Sequence, residues 1–436
     1  MRWGGGMWSG WSRVKRTWML AGAAVALLLG SIVILNLTSA EKRLSTVPPH
    51  RYAIRSEEYR REMSVLLGPT VVGGNAVQEL QNGVEIFPAM LDAISGATTS
   101  VNFETYIYWS GEIGERFTAA LIERARAGVP VKVTVDWAGS IKMDAELLAR
   151  MADGGVEVQR YRPLHWYTLG RLNNRTHRKL LVVDGRVAFT GGVGIADQWQ
   201  GDAEDPDHWR DLHFRVEGPI AAQFQAAFND NWVKMTGQIL NGGAYFVAVP
   251  PAGEVSAQLF IASPSGGSQS MQLMYLVTIA AAVESLDIAA AYFVPDDLLL
   301  QALLQARQRG VRIRLLVPGP YTDSQAVALA STSSWGRLLA AGVQIHQYQP
   351  TMMHSKMVVA DGYLVSVGST NLDVRSLQLN DEANLNIYDA GFAGRMTQIF
   401  EADLARSTPY TAAMWKQRPW TQRLAELLLV PIRSQL

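Results

Sequence analysis

The chain has 436 residues, 48% of them hydrophobic and 18% charged, which excludes a disordered chain and allows two domains or one large domain built from two similar halves. Its 39 basic and 39 acidic residues cancel, so it lacks the net positive field with which most nucleic-acid binders capture phosphate backbones. With no cysteine, disulfides, thiolate nucleophiles and cysteine-ligated metals are excluded.

From Trp18 to Leu35 run 18 uncharged residues rich in Ala, Val, Leu and Ile. As a helix they would extend about 27 Å, close to the hydrocarbon thickness of a bilayer. Arg2, Arg13, Lys15 and Arg16 precede the stretch and Lys42 and Arg43 follow it, a basic excess that puts the amino terminus in the cytoplasm and the rest across the membrane. Thr38-Ser39-Ala40 resembles a cleavage site, so a removed leader is the alternative, but the stretch exceeds a leader's apolar region of roughly 7 to 15 residues. Residues 1–43 are therefore expected to be a membrane anchor. Residues 44–80 read as a linker and lead-in, with Pro48-Pro49 forbidding helix.

The body then repeats one order of elements. An amphipathic run around Phe87 to Ile94 leads into the strand Val101 to Trp109, a helix Phe117 to Arg126 stops at Gly128, and the strand "VPVKVTVD" follows. Later, a helix around Met274 to Val283 leads into Leu286 to Val294, a helix Leu298 to Arg309 stops at Gly310, and "VRIRLLVPG" follows. Strands alternating with helices predict α/β layers, here two similar lobes with mixed sheets and pseudo-twofold symmetry, over residues 81–250 and 251–405. Residues 406–436 remain as a carboxyl-terminal tail. Each lobe carries a histidine motif: His177, Lys179 and Asp184 in "HRKLLVVDG", and His354, Lys356 and Asp361 in "HSKMVVADG". Every member of the second lies 177 positions after its counterpart, as Gly368 lies after Gly191.

These residues resemble the paired HxKxxxxD motifs of the phospholipase D superfamily, from about Phe87 to the carboxyl end. The second copy is the fuller match, with His354, Lys356, Asp361, Gly368, Ser369, Asn371, Asp373, Arg375, Ser376, Asn380 and Glu382. Within the superfamily "NNRTHRKLLVVDGRVAFTGG", "HWRDLHFRVEGP" and the tail "WKQRPWTQRLAELLLVPI" are most similar to cardiolipin synthases and their close relatives. One departure stands out: "GGVGIAD" has Gly194 where the second copy has Asn371, which removes a phosphate-contacting side chain from the first half. The resemblance implies a catalytic set of His177, Lys179, Asp184, His354, Lys356 and Asp361, with Lys179, Lys356, Ser369 and Asn371 on the phosphate. It implies no cofactor and no metal. It also implies phosphatidylglycerol and other phospholipids as substrates, and a membrane rather than nucleic acid as partner.

The chemistry suits the residue types. Breaking a phosphodiester takes a nucleophile, a proton for the leaving alkoxide, and positive charge on the nonbridging oxygens. On a strand, residues i and i+2 share a face, so each lobe presents one imidazole and one ammonium together. The motif aspartate is seven residues from its histidine, on the opposite strand face and roughly 20 Å along. Asp184-Gly185 and Asp361-Gly362 thus read as hairpin turns that support the fold. The imidazoles still need a partner that fixes the tautomer. The family ending places Glu382 with His354, and laying "DLHFRVE" on "EANLNIY" places Asp211 with His177, with Glu104 as a second acidic candidate near the mouth. The resemblance makes His177 the nucleophile and His354 the acid.

His50, His165, His208, His213 and His346 have no repeated partner and read as structural or surface groups. Trp166 and Tyr167 beside His165 could line a lipid entrance or simply pack, and Trp420 to Ile432 could lie on a membrane or dock on the core. No nucleophile elbow or zinc-like spacing is present. The expected activity is phosphatidyl transfer; the alternatives are a hydrolytic phospholipase D, a nuclease, and a membrane-tethered lipid-binding protein without activity.

Overall fold

A computed structural model describes residues 13–37, 44–164, 173–263 and 270–431 of the chain. Arg13–Leu37 is one helix. Its stretch Thr17–Ile34, with a mean hydropathy of 2.1, is long and apolar enough to cross a bilayer, which no other helix among the described residues is. It is a candidate membrane anchor.

The body is a 15-stranded mixed sheet in which the sequence repeat becomes visible as symmetry. From the centre outward, the first half contributes Val72–Gln81, Leu212–Glu217, Val187–Gly191, Leu180–Val183, Val101–Thr105, Val131–Asp136 and Glu157–Tyr161. The second half runs the other way in the same order: Val255–Ala262, Glu382–Tyr388, Leu364–Gly368, Lys356–Ala360, Ser285–Ala290, Arg312–Pro318 and Gln344–Tyr348, with Ser407–Tyr410 added at the edge. Val72–Gln81 and Val255–Ala262 pair antiparallel at the centre, with a shift in register between Val72 and Asn75. The three outer strands of each repeat run parallel and the rest antiparallel, because crossover helices such as Glu112–Arg126 and Asp297–Gln308 connect the parallel ones.

Helices cover both faces, and strands such as Val131–Asp136 and Glu382–Tyr388 are buried throughout. One apolar cluster is shared between the halves, with Phe214, Phe224, Met353, Met357, Phe392 and Phe400 among its members. At about 1.5–3 kcal/mol for each fully buried large apolar side chain, this shared core is what holds the lobes in one relative placement.

Several boundaries differ from the pattern read off the sequence. Residues 44–80 hold the helix Glu57–Leu66 and the central strand Val72–Gln81. The glycines and polar residues of "VGGNAVQELQ" conceal a strand whose neighbours on both sides, not its own composition, recruit it. The strand at Val101 stops at Thr105, and Ser285–Ala290 is followed by a separate short strand, Phe293–Val294, paired with Leu372–Asp373. His165, Trp166 and Tyr167 lie outside the described residues.

Candidate active site

Each histidine motif opens a strand: Lys179 precedes Leu180–Val183, and Lys356 begins Lys356–Ala360. The two strands continue into matching hairpins in which Asp184, Gly185, Asp361 and Gly362 all have positive φ, between 51° and 62°. Asp and Gly tolerate this left-handed geometry, which two-residue turns require. Asp184 accepts the backbone N–H groups of Thr98, Thr99 and Ser100 at 2.7–3.1 Å. Asp361 accepts those of Val283, Glu284 and Ser285 at 2.8–3.2 Å. Each carboxylate thus ties the far end of its hairpin to the start of the neighbouring strand. Neither reaches a histidine.

The halves exchange partners around the imidazoles. Thr176 forms a parallel bridge with Asp381, and Arg210 forms one with Met353. The N–H of His177 donates to the carbonyl of Asp381 at 2.8 Å, and that of His354 to the carbonyl of Arg210 at 2.8 Å. Each histidine is therefore stitched beside the residue that precedes the other half's carboxylate. His177 Nδ1–H donates to Glu382, 3.0 Å from both oxygens, and His354 Nδ1–H donates to Asp211 Oδ2 at 2.7 Å. This reverses the pairing expected from the sequence, Asp211 with His177 and Glu382 with His354. The alignment of Asp211 with Glu382 holds; the assumption that each served its own half does not.

Both carboxylates are fully buried. The lysines fold back alike: Lys179 Nζ donates to the carbonyl of His177 at 2.9 Å, and Lys356 Nζ to that of His354 at 2.5 Å. Burial pushes His177 down to about 4 against the opposing pull of Glu382, which keeps its imidazole neutral and its Nε2 lone pair free. Burial and the Lys356 ammonium lower His354 as well, opposed by Asp211. Lys179 is brought down to about 7 by burial and by Lys356, and Lys356 to about 8 by burial. Burial raises Asp211, but His354 and Lys356 together hold it below the ordinary carboxylate range. A phosphodiester anion beside His354, Lys179 and Lys356 supplies the opposite charge that favours their protonated forms.

Glu104 does not face His177. Its Oε1 accepts Thr176 Oγ1 at 2.5 Å and Asn231 Nδ2 at 2.7 Å, so this buried carboxylate braces the residue before the histidine. Ser369 directs its hydroxyl to Glu382 Oε2 at 2.5 Å. Asn371 is buried with its Oδ1 unpaired among the described residues. A Cβ on Gly194, which stands in the position of Asn371, would lie 2.8 Å from Ile107 Cβ and 3.2 Å from the Trp199 ring.

Sequence inspection missed the walls of the site. Tyr106 packs edge-on to His177 with centroids 5.2 Å apart, and Trp199 and Trp209 pack on His354 at 5.2 and 5.4 Å. The repeat gave no pointer to these aromatics, since they come from loops that differ between the halves. Glu204, Asp205 and His208 also gather within 4.8 Å of one another, but they are at the surface and His208 Nδ1 already bonds Asp205 at 2.8 Å.

Residues 90–232 and 275–404 match the family described as "Cardiolipin synthase, PLD-like domain". The chain is 34% identical over 350 residues to cardiolipin synthase 2 of Bacillus anthracis, covering 80% of this chain and 68% of that one. The chain belongs to this family. It is also 34% identical to the cardiolipin synthase of Geobacillus thermodenitrificans, over 80% of this chain and 70% of that one. Among solved structures, the phosphatidylserine synthase of Haemophilus influenzae superposes with a TM-score of 0.66 at 14% identity, covering 87% of this chain and 98% of that one, which is a likeness of fold. The two family matches, 90–232 and 275–404, each contain one His–Lys motif, so the family's two-lobe fold is the frame that holds the exchanged pairs.

Proposed function

We propose that the chain is a phosphatidyltransferase that makes cardiolipin from two molecules of phosphatidylglycerol. The observation that carries this is the exchange of carboxylates: two imidazoles, each held by a buried carboxylate from the opposite half, with a lysine beside each.

In the first step neutral His177 attacks phosphorus through Nε2, the bond from phosphorus to the headgroup glycerol oxygen breaks, and His354, protonated on both ring nitrogens, gives that oxygen its Nε2 proton and becomes neutral. In the second step a hydroxyl of another phosphatidylglycerol attacks the phosphohistidine, its proton passes to His354, and the P–N bond breaks to release His177. Lys179, Lys356 and Asn371 face the nonbridging oxygens, where charge concentrates in the transition state. Glu382 and Asp211 fix the tautomers and stabilise each imidazolium as it forms. Asp184 and Asp361 act through the fold, and Glu104 through Thr176.

The family's phospholipid chemistry calls for a bilayer, and the candidate anchor supplies one attachment. The tail supplies a second. In helix Trp420–Leu429 the acidic residue faces inward, with Glu426 buried on Arg418 at 2.9 Å, while Trp420, Leu424, Leu427 and Leu428 are exposed together with Arg423. This helix seats its apolar face on the lipid surface, with Arg423 among the headgroups. The basic excess before the anchor places the catalytic body outside the cytoplasm.

The test is to incubate the pure full-length chain in vesicles with labelled phosphatidylglycerol and identify the products. Cardiolipin and free glycerol in equal amounts are expected. Phosphatidic acid as the sole lipid product would replace transfer with hydrolysis, and no product at all would leave a binding protein.

A further inference from the structure

The two halves hold their carboxylates by different means. In the second half Ser369 donates its hydroxyl to Glu382. The equivalent position in the first half, 177 residues earlier, is Gly192, and a Cβ there would run into the Asp211 carboxylate. Gly194, in the place of Asn371, is closed off in the same way by Ile107 and Trp199. The missing side chains therefore mark a substitution of one device by another, since Asp211 fills the space at Gly192, and Ile107 with Trp199 the space at Gly194.

Trp199 is 1% exposed. Its indole Nε1–H donates at 2.9 Å to Asp211 Oδ2, the same oxygen that lies 2.7 Å from His354 Nδ1. Its ring stands edge-on to His354 and against Trp209, with the Trp209 centroid 4.6 Å away. The other Asp211 oxygen accepts the backbone N–H of Leu212 at 2.8 Å. Among the described residues, Trp199 is thus the one side-chain donor, besides the imidazole itself, that holds this carboxylate.

We propose that Trp199 is a positioning residue for proton transfer, holding Asp211 in the rotamer that aims His354 at the phosphodiester. An indole N–H can only donate, so it commits Asp211 to the ionised, accepting state. Ser369 does the corresponding task for Glu382 with a hydroxyl that can rotate. A charge-assisted bond of this kind fixes orientation as well as energy. Without it the carboxylate is free to turn, and its charge falls more fully on His354, which raises the imidazole's hold on its proton.

The proposal rests on the reading of His354 as the proton-transferring group, and the experiment separates the two. Trp199→Phe is compared with an isostere at the same position, benzothienylalanine, which places sulfur where the N–H was and keeps the ring shape. His354→Ala and His177→Ala are run beside them in the full-length chain. Two signals are read: the nitrophenol burst from a phosphatidyl nitrophenyl ester, whose leaving group needs no proton, and turnover of phosphatidylglycerol across pH. Both Trp199 variants should follow the His354→Ala pattern, keeping the burst while turnover falls about tenfold or more, the loss of one hydrogen bond to a charged group. The limb on which His354 loses the proton it must donate should move upward. Wild-type turnover with an unshifted limb in the folded isostere would reduce Trp199 to packing and overturn the proposal, as would equal losses in burst and turnover. If His354→Ala abolishes the burst and His177→Ala keeps it, the histidine roles are reversed and the mechanism above fails. That outcome removes the Trp199 proposal together with the mechanism, whereas failure of the Trp199 proposal alone leaves the His354→Ala and His177→Ala signals as expected.

Discussion

Replacing Glu382 by Gln tests the exchange of carboxylates between the halves. Glu382 is fully buried with both oxygens 3.0 Å from His177 Nδ1. Glutamine keeps the shape and one acceptor but removes the charge that stabilises the imidazolium side of the nascent P–N bond. A hydrogen bond to a charged group contributes about 1.5–3 kcal/mol, and about 1.4 kcal/mol is tenfold in rate. Glu382→Gln should therefore slow formation of the phosphohistidine about 10- to 100-fold. Asp211→Asn carries the same chemical change to His354. With an activated nitrophenyl ester in stopped flow, Glu382→Gln should slow the burst, while Asp211→Asn should keep the burst rate and slow only steady-state turnover on phosphatidylglycerol. The opposite pattern, a slow burst in Asp211→Asn and a normal one in Glu382→Gln, would show that each carboxylate serves the histidine of its own half and refute the exchange.

Four further outcomes are expected. Asp184→Asn and Asp361→Asn, which weaken three backbone hydrogen bonds each, should lower the melting temperature by about 2–3 °C for a loss of about 2 kcal/mol, and leave the turnover of the folded fraction within about twofold, since neither carboxylate reaches the histidines; a turnover collapse at an unchanged melting temperature would make them catalytic. In pH profiles of kcat/KM, activity should fall as pH rises through about 7 to 8, where Lys179 and Lys356 lose their charge, and fall again as pH drops through about 4, where His177 becomes protonated; a flat profile from pH 6 to 9 would contradict the lysine role. Because the chain has no cysteine, Leu428→Cys carrying a polarity-sensitive dye should report an apolar setting and be quenched by nitroxide lipids in vesicles, and a dye that stays solvated would detach the tail from the membrane. Glu254→Cys, exposed on the body, should react with an impermeant maleimide in intact cells; labelling only after lysis would put the body in the cytoplasm.

The amino-acid sequence by itself determined the repeat, the two His–Lys pairs and the turns. A register of 177 residues survives only where two copies fold alike, and the i, i+2 spacing of His177 with Lys179 and of His354 with Lys356 puts both groups on one face of any strand. Asp-Gly at positive φ is likewise a local property. Only the tertiary structure decided which carboxylate meets which histidine. That choice depends on the bridges from Thr176 to Asp381 and from Arg210 to Met353, contacts between residues 205 and 143 positions apart in the chain, and no alignment of one half on the other contains it. The same holds for Glu104, which faces Thr176 rather than the site, and for Trp199, which has no counterpart in the second half to betray it. Internal symmetry reports what the halves share; the groups that make the site asymmetric lie in loops where the repeat breaks, and packing across the shared core is what brings them to the histidines.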